Sequence, residues 1–212
     1  MSLTYDPDEA VAALSKADKK LAKVIRQAGP FTLRPEKLHS VFHALLRAIV
    51  YQQLSGKAAG TILSRVLAIY PKGHRATPEE ILATPDEQLR AAGLSRNKLL
   101  AIKDLSQKAL EGIVPPLAKI RKLADAEILE RLTAVRGIGP WTVEMLLIFR
   151  LGRADVLPVT DLGIRKGFQL TYGGDELPPP KAITEHAERW RPYRSVASWY
   201  LWRAADLEKQ EK

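Results

Sequence analysis

The sequence predicts an all-α fold, and three observations carry that expectation. No stretch alternates apolar and polar residues for more than a few positions, so strand signals are nearly absent. Apolar residues instead recur at helical spacing in one segment after another. Between those segments stand glycine and proline breaks such as Gly29-Pro30, Pro115-Pro116 and Pro178-Pro179-Pro180. No internal repeat points to a solenoid.

In chain order, a first helix is expected over 7–27, with Pro7, Asp8 and Glu9 in its opening turn and Ala10, Leu14, Ala17, Leu21, Val24 and Ile25 on one face. A second, 38–54, turns Phe42, Leu45, Leu46, Ile49 and Val50 inward. It ends in Gln52-Gln53-Leu54-Ser55-Gly56, where the apolar period breaks before a helix over 58–70. A connector over 71–84 carries a short helix at 78–83, followed by a turn or two over 85–91. Gly93-Leu94-Ser95 then opens a helix to 110, striped by Leu99, Ile102, Leu105 and Ala109. Beyond Pro115-Pro116 come a short basic segment, 118–122, and a helix over 125–131 that Asp125 would cap. The remaining helices are expected over 141–152, 162–170, 181–190 and 195–205.

Composition narrows the classes of function. At 212 residues the chain can bury a substantial core. With 33 Lys plus Arg against 24 Asp plus Glu its formal charge is +9, which suits a polyanionic partner without requiring one. The absence of cysteine excludes disulfides, thiolate metal sites and iron–sulfur clusters. No apolar run approaches the roughly 18 residues that span a bilayer, and the polar N-terminus does not read as a signal peptide. A cytoplasmic protein without a membrane partner is the expectation.

The stretch 132–168 is the most informative. Leu132, Val135 and Gly137-Ile138-Gly139 read as the end of one helix and a very short turn, and Pro140 suits the first position of the next. Gly137 and Gly139 would supply positive φ or close approach. The amides of Gly139, Trp141 and Thr142 would then open a helix beside unshielded backbone, a setting that accepts a phosphate oxygen. Taken alone, such a turn is equally that of an ordinary helical hairpin. Downstream, the connector 153–160 delivers Asp161 to the start of a helix. Either Thr160 or Asp161 can serve there as a simple N-cap. The apolar Val156, Leu157 and Val159 nevertheless carry the carboxylate to the edge of the core, and a partly desolvated carboxylate near an anion-binding helix end is a candidate for chemistry on a nucleic acid.

Together with Val50-Tyr51-Gln52-Gln53-Leu54-Ser55-Gly56-Lys57, with Gly93-Leu94-Ser95 and Lys98, and with Trp190-Arg191-Pro192-Tyr193-Arg194-Ser195, this stretch resembles the helix-hairpin-helix superfamily of base-excision DNA glycosylases. Within it, the alkyladenine branch, DNA-3-methyladenine glycosylase II, is the better match. The four motifs stand in family order over about residues 40–203.

The resemblance implies a helix-hairpin-helix glycosylase fold of two helical lobes flanking a cleft, without the N-terminal sheet domain of some relatives. One lobe would comprise 1–31 with 161–212, the other 32–160, with the hairpin at about 125–150. It implies a monofunctional hydrolase acting on double-stranded DNA that contains alkylated purines, with Asp161 stabilising an oxocarbenium-like sugar. No second carboxylate across the bond is required. Trp141 would replace the lysine of strand-cleaving relatives and, with Trp202, Met145 and Leu162, line the base pocket; the best-known branch has tyrosines at the last two positions. Gln53 would be the wedge, and Gly137, Gly139, Trp141 and Thr142 would bind phosphate. Carbonyls of Thr133, Val135 and Ile138 would hold a structural Na+ or K+, no cofactor would be needed for catalysis, and the protein would act as a monomer. The rival expectation is a non-catalytic hairpin protein that binds DNA as a repair accessory factor.

Overall fold

The computed structural model describes residues 3–71 and 75–210, so residues 72–74 of the expected connector lie outside the described residues. The helices run in order: α1 (Pro7–Ala17), α2 (Lys19–Ala28), α3 (Val41–Tyr51), α4 (Gly56–Leu67), α5 (Pro78–Ala83), α6 (Asp86–Ala91), α7 (Arg96–Leu110), α8 (Leu117–Ile120), α9 (Asp125–Thr133), α10 (Pro140–Leu146), α11 (Leu162–Tyr172), α12 (Pro180–His186) and α13 (Arg194–Gln210). A π-helical turn, Leu147–Leu151, continues α10, and a 3-10 turn, Ala187–Trp190, continues α12. No strand occurs among the described residues, and no helix among them is long and apolar enough to cross a membrane.

The chain divides into two compact units, Met1–Lys37 with Glu144–Lys212, and Leu38–Val143. The boundaries differ from the expected 31/32 and 160/161. The reason is that the C-terminal half of α10 and its π turn belong with the terminal segments. Glu36 N–H donates to Phe149 O at 2.8 Å, Arg150 pairs with Glu36 at 2.7 Å, and Thr4 N–H donates to Gly152 O at 3.1 Å.

In the first unit, the single helix expected over 7–27 is two helices. Asp18 takes extended angles between them; its N–H closes α1 on Leu14 O, and its Oδ1 caps α2 by accepting from Lys20 N at 3.1 Å and Leu21 N at 3.0 Å. Aspartate competes for local backbone donors and therefore favours caps over helix interiors. Although only 5% exposed, the carboxylate is well supplied with donors. Its Oδ2 accepts from Tyr172 Oη at 2.7 Å and Trp190 Nε1 at 3.1 Å, and His186 Nε2 lies 2.9 Å away. Burial pushes this carboxyl upward, but the bonds from Leu21, Tyr172, His186 and Trp190 prevail and hold it at about 2.

Helices α11 and α13 meet along a glycine seam. Gly163 and Gly167, four residues apart, share one face of α11. A Cβ on Gly167 would fall on the carbonyl of Leu201, so the backbone of α13 occupies the place a side chain would need.

The second unit is organised on α7, whose Leu99, Ala101, Ile102 and Leu105 are buried. Ser95 caps it, and Lys103 Nζ donates to Leu82 O at 2.9 Å and Thr84 O at 2.7 Å, closing the C-terminal end of α5. The expected cap of α9 shifts by one residue: Ala124 is the N-cap and makes no side-chain bond, and Asp125 is the first helical residue, where its charge suits the helix dipole.

Candidate active site and nucleic-acid interface

Asp161 is both a helix cap and the centre of the acidic site. Its Oδ1 accepts from Ile164 N at 2.9 Å, as an N-cap does, and from Trp202 Nε1 at 2.8 Å. Of the two expected cap candidates, Asp161 takes the place and Thr160 does not. Two donors on one oxygen fix the carboxylate in a single orientation, and its partial burial strengthens its field. The indole of Trp202 is itself held by Phe149 of the π turn, with ring centroids 5.5 Å apart.

Gly163 makes that arrangement possible. A Cβ there would lie 2.8 Å from Trp202 Cδ1 and 3.0 Å from Asp161 Oδ1. Gly163→Ala is therefore expected to displace the indole, break the Trp202–Asp161 bond and cost about 1–3 kcal/mol of stability by overpacking. Urea denaturation checks this; an unchanged midpoint would show that the indole yields freely.

A second carboxylate lies in the same unit. Glu144 Oε2 is buried and has no hydrogen-bond partner among the described residues. Burial first, and then the negative charge of Asp161, push the Glu144 carboxyl up from 4.5 to about 7. The sign for stability follows from the folded state keeping a proton that the unfolded chain releases. Folding is favoured below the unfolded value and weakened as pH rises through about 7. Glu144→Gln should therefore leave stability unchanged at pH 4 and raise it at pH 8, by an amount that solvent screening keeps to about 1 kcal/mol. Melting temperatures at the two pH values decide it, and an equal shift at both would refute the assignment.

The hairpin and the Gln-Gln turn both lie in the other unit. Gly137 has φ +78°, as expected, but Gly139 does not have positive φ. A Cβ on Gly139 would meet nothing within 4 Å, so its value lies in bare backbone. The Gly139 N–H has no partner among the described residues, whereas Thr142 N–H is spent on Gly139 O at 3.0 Å. The Thr142 amide is thus not unpaired as expected, because the first turn of α10 tightens onto that carbonyl. Of the three carbonyls expected to hold a cation, Val135 O accepts from Ile138 N–H at 3.0 Å. A carbonyl has two lone pairs, so that bond leaves Val135 O one for a further ligand.

Gln53 is exposed and has φ +56°, the one positive φ outside glycine among the described residues. Its neighbour Gln52 donates through Nε2 to Gly137 O at 2.8 Å, joining this turn to the hairpin.

Of the expected pocket residues, Trp202 bonds Asp161 directly. Leu162 follows Asp161 in the chain but is 66% exposed, and Met145 is half-buried on the segment of α10 that belongs to Asp161's unit. Trp141 is 47% exposed, which a simple core role does not explain, and lies on the segment of α10 assigned to the hairpin's unit. The residues not anticipated are Glu144, Gly163 and Asp18. A lone carboxylate inside the apolar run 141–149 was the available signal for Glu144, and glycines four apart were the signal for the seam.

The model of the family "HhH-GPD superfamily base excision DNA repair protein" matches residues 46–192. DNA-3-methyladenine glycosylase 1 of Schizosaccharomyces pombe is 36% identical over 217 residues, covering 98% of this chain and 94% of that protein. The structure is similar to that of a 3-methyladenine DNA glycosylase of the same yeast in complex with abasic DNA, with a TM-score of 0.79 at 36% identity over 92% of this chain and 95% of the other. It is also similar to a DNA-3-methyladenine glycosidase of Bacillus halodurans, with a TM-score of 0.86 at 35% identity over 99% of this chain and 94% of the other. With the hairpin, the capped aspartate and matches that run nearly end to end, the chain belongs to the HhH-GPD superfamily of base excision DNA repair proteins, in its alkyladenine glycosylase branch.

Proposed function

We propose that this protein is a monofunctional DNA glycosylase that flips alkylated purines of the 3-methyladenine and 7-methylguanine type out of duplex DNA and hydrolyses their N-glycosidic bonds. The observation that carries the reading is Asp161, partly buried and oriented through one oxygen by Ile164 N–H and the Trp202 indole. Breaking the bond leaves positive charge on the deoxyribose, and a fixed carboxylate at C1′ stabilises that charge as it develops. An alkylated purine is already cationic and departs as a neutral base, so proton donation to it is not required. Water completes the reaction with Asp161 orienting it or taking its proton, and an abasic site remains.

The supporting parts fall to named residues. Gly137 and Gly139 bring bare backbone to a phosphate, and the Gly139 N–H is the donor available there. Gln53 enters the stack where the base has left, offering hydrogen bonds to the orphaned partner base. Trp202, bonded to Asp161, supplies aromatic surface that attracts a cationic purine, and the exposed Trp141 is a second ring of the kind such a base stacks on. Met145 and Leu162 make that surface less aromatic than in the best-known branch, which favours a broad lesion range. A monovalent cation on the carbonyls of Thr133, Val135 and Ile138 would lessen their repulsion of a phosphate. Because Trp141 replaces the lysine of strand-cleaving relatives, no amine is present there for a Schiff base.

The test is a panel of duplexes carrying alkylated, etheno, deaminated and oxidised bases. Release of free 3-methyladenine and 7-methylguanine without strand scission, and without borohydride trapping, is the expected result. Binding without release of any base would favour the accessory-factor reading, and efficient trapping would overturn monofunctional action.

A further inference from the structure

Lys98 belongs to a motif that the proposed chemistry leaves without a task, and its surroundings give it one. The lysine sits in the first turn of α7, partly buried, and its ammonium donates to Val50 O at 2.6 Å and to Gln52 O at 2.9 Å. These are the last carbonyls of α3, where the helix dipole gathers negative charge, so a cation is the favoured cap. The next residue is Gln53, with its left-handed φ of +56°, followed by Leu54 and the Ser55 that caps α4. A glutamine in that conformation costs about 1–2 kcal/mol, which contacts of the surrounding turn must offset.

The same helix also fastens the hairpin. Asp104 Oδ2 accepts from Arg136 N–H at 2.7 Å, a Cβ on Gly137 would lie 3.4 Å from Ala101 Cβ, and Gln52 Nε2 ties the Gln-Gln turn to Gly137 O. Helix α7 is thus a splint with the two loops mounted on it, four and a half turns of rigid backbone between Ser95 and Leu110 at most. Partial burial lowers the lysine ammonium from its usual range.

We infer that Lys98 is a positioning residue that holds the Gln52–Leu54 turn in the strained shape needed for Gln53 to fill the gap left by an extruded base, while Gln52 keeps that turn in register with the phosphate-binding hairpin. This rests on the glycosylase reading for the purpose of the wedge, but not on base release, so it is tested without chemistry.

The probe is a duplex containing a tetrahydrofuran abasic analogue opposite 2-aminopurine, compared with an undamaged duplex of the same sequence. The full chain is expected to bind the abasic duplex more tightly and to change the 2-aminopurine fluorescence as Gln53 enters. Lys98→Met keeps the stem and removes the ammonium. It should lower affinity for the abasic duplex roughly tenfold, the loss expected for a charge-assisted anchor, and abolish the fluorescence change. Affinity for undamaged duplex, which the hairpin supplies, should not change. Gln52→Ala should act in the same direction with a smaller effect, which guards against misfolding of the lysine variant. An equal loss on both duplexes, or a normal fluorescence change in Lys98→Met, overturns the inference. A wild-type protein that shows the abasic preference but releases no base from alkylated DNA would instead sink the glycosylase reading and leave this one standing.

Discussion

Asp161→Asn is expected to lower single-turnover release of 3-methyladenine by at least roughly 10²–10³-fold, the usual cost of removing a group that stabilises transition-state charge. Binding to the same duplex should be unchanged. The choice of asparagine matters because Oδ1 still accepts from Ile164 N–H and Trp202 Nε1, so the cap of α11 and the helix packing survive. What disappears is the negative charge. A variant within a few-fold of wild type would show that the carboxylate is only a cap, and the enzymatic role would pass to another group.

The largest effect on folding is expected at Asp18. Asp18→Ala strands the indole N–H of the fully buried Trp190 and the hydroxyl of Tyr172, and it uncaps α2. Breaking a buried charged network of this kind costs about 3–5 kcal/mol. Urea denaturation at pH 7 measures it, and a loss under about 1 kcal/mol, the value of a cap alone, would show that the buried donors find other partners. The pH dependence offers a second check. The folded carboxyl titrates at about 2 against 3.8 when unperturbed, so its contribution is present above 3.8 and is lost as pH falls toward 2. Wild type should therefore lose roughly 2 kcal/mol more than Asp18→Ala over that interval.

Most helices were legible because their apolar period and their proline or glycine ends coincide, and α5 and α6 fall where the sequence places them. The break at Asp18 was not legible. The apolar stripe of 7–27 runs through it with little change of phase, and the aspartate's partners, Tyr172, His186 and Trp190, lie more than 150 residues away. The π turn escaped for a related reason: Leu147–Leu151 is apolar almost throughout, so no period distinguishes five residues per loop from four. At the site, the hairpin and Asp161 were visible as local punctuation. Glu144 and the contacts of Lys98 were not, because burial by distant segments and carbonyls 46 and 48 residues away decide what those side chains do.

The glycine seam between α11 and α13 also constrains how the gene can change. A single-base change in the third position of a glycine codon is silent, and a missense change in either other position adds a Cβ. At Gly167 every such residue lands on the Leu201 carbonyl, and at Gly163 it lands on the indole that orients Asp161. The two codons are closed to stepwise drift, and variation in this helix pair must therefore enter through the faces of α11 and α13 that look away from the seam.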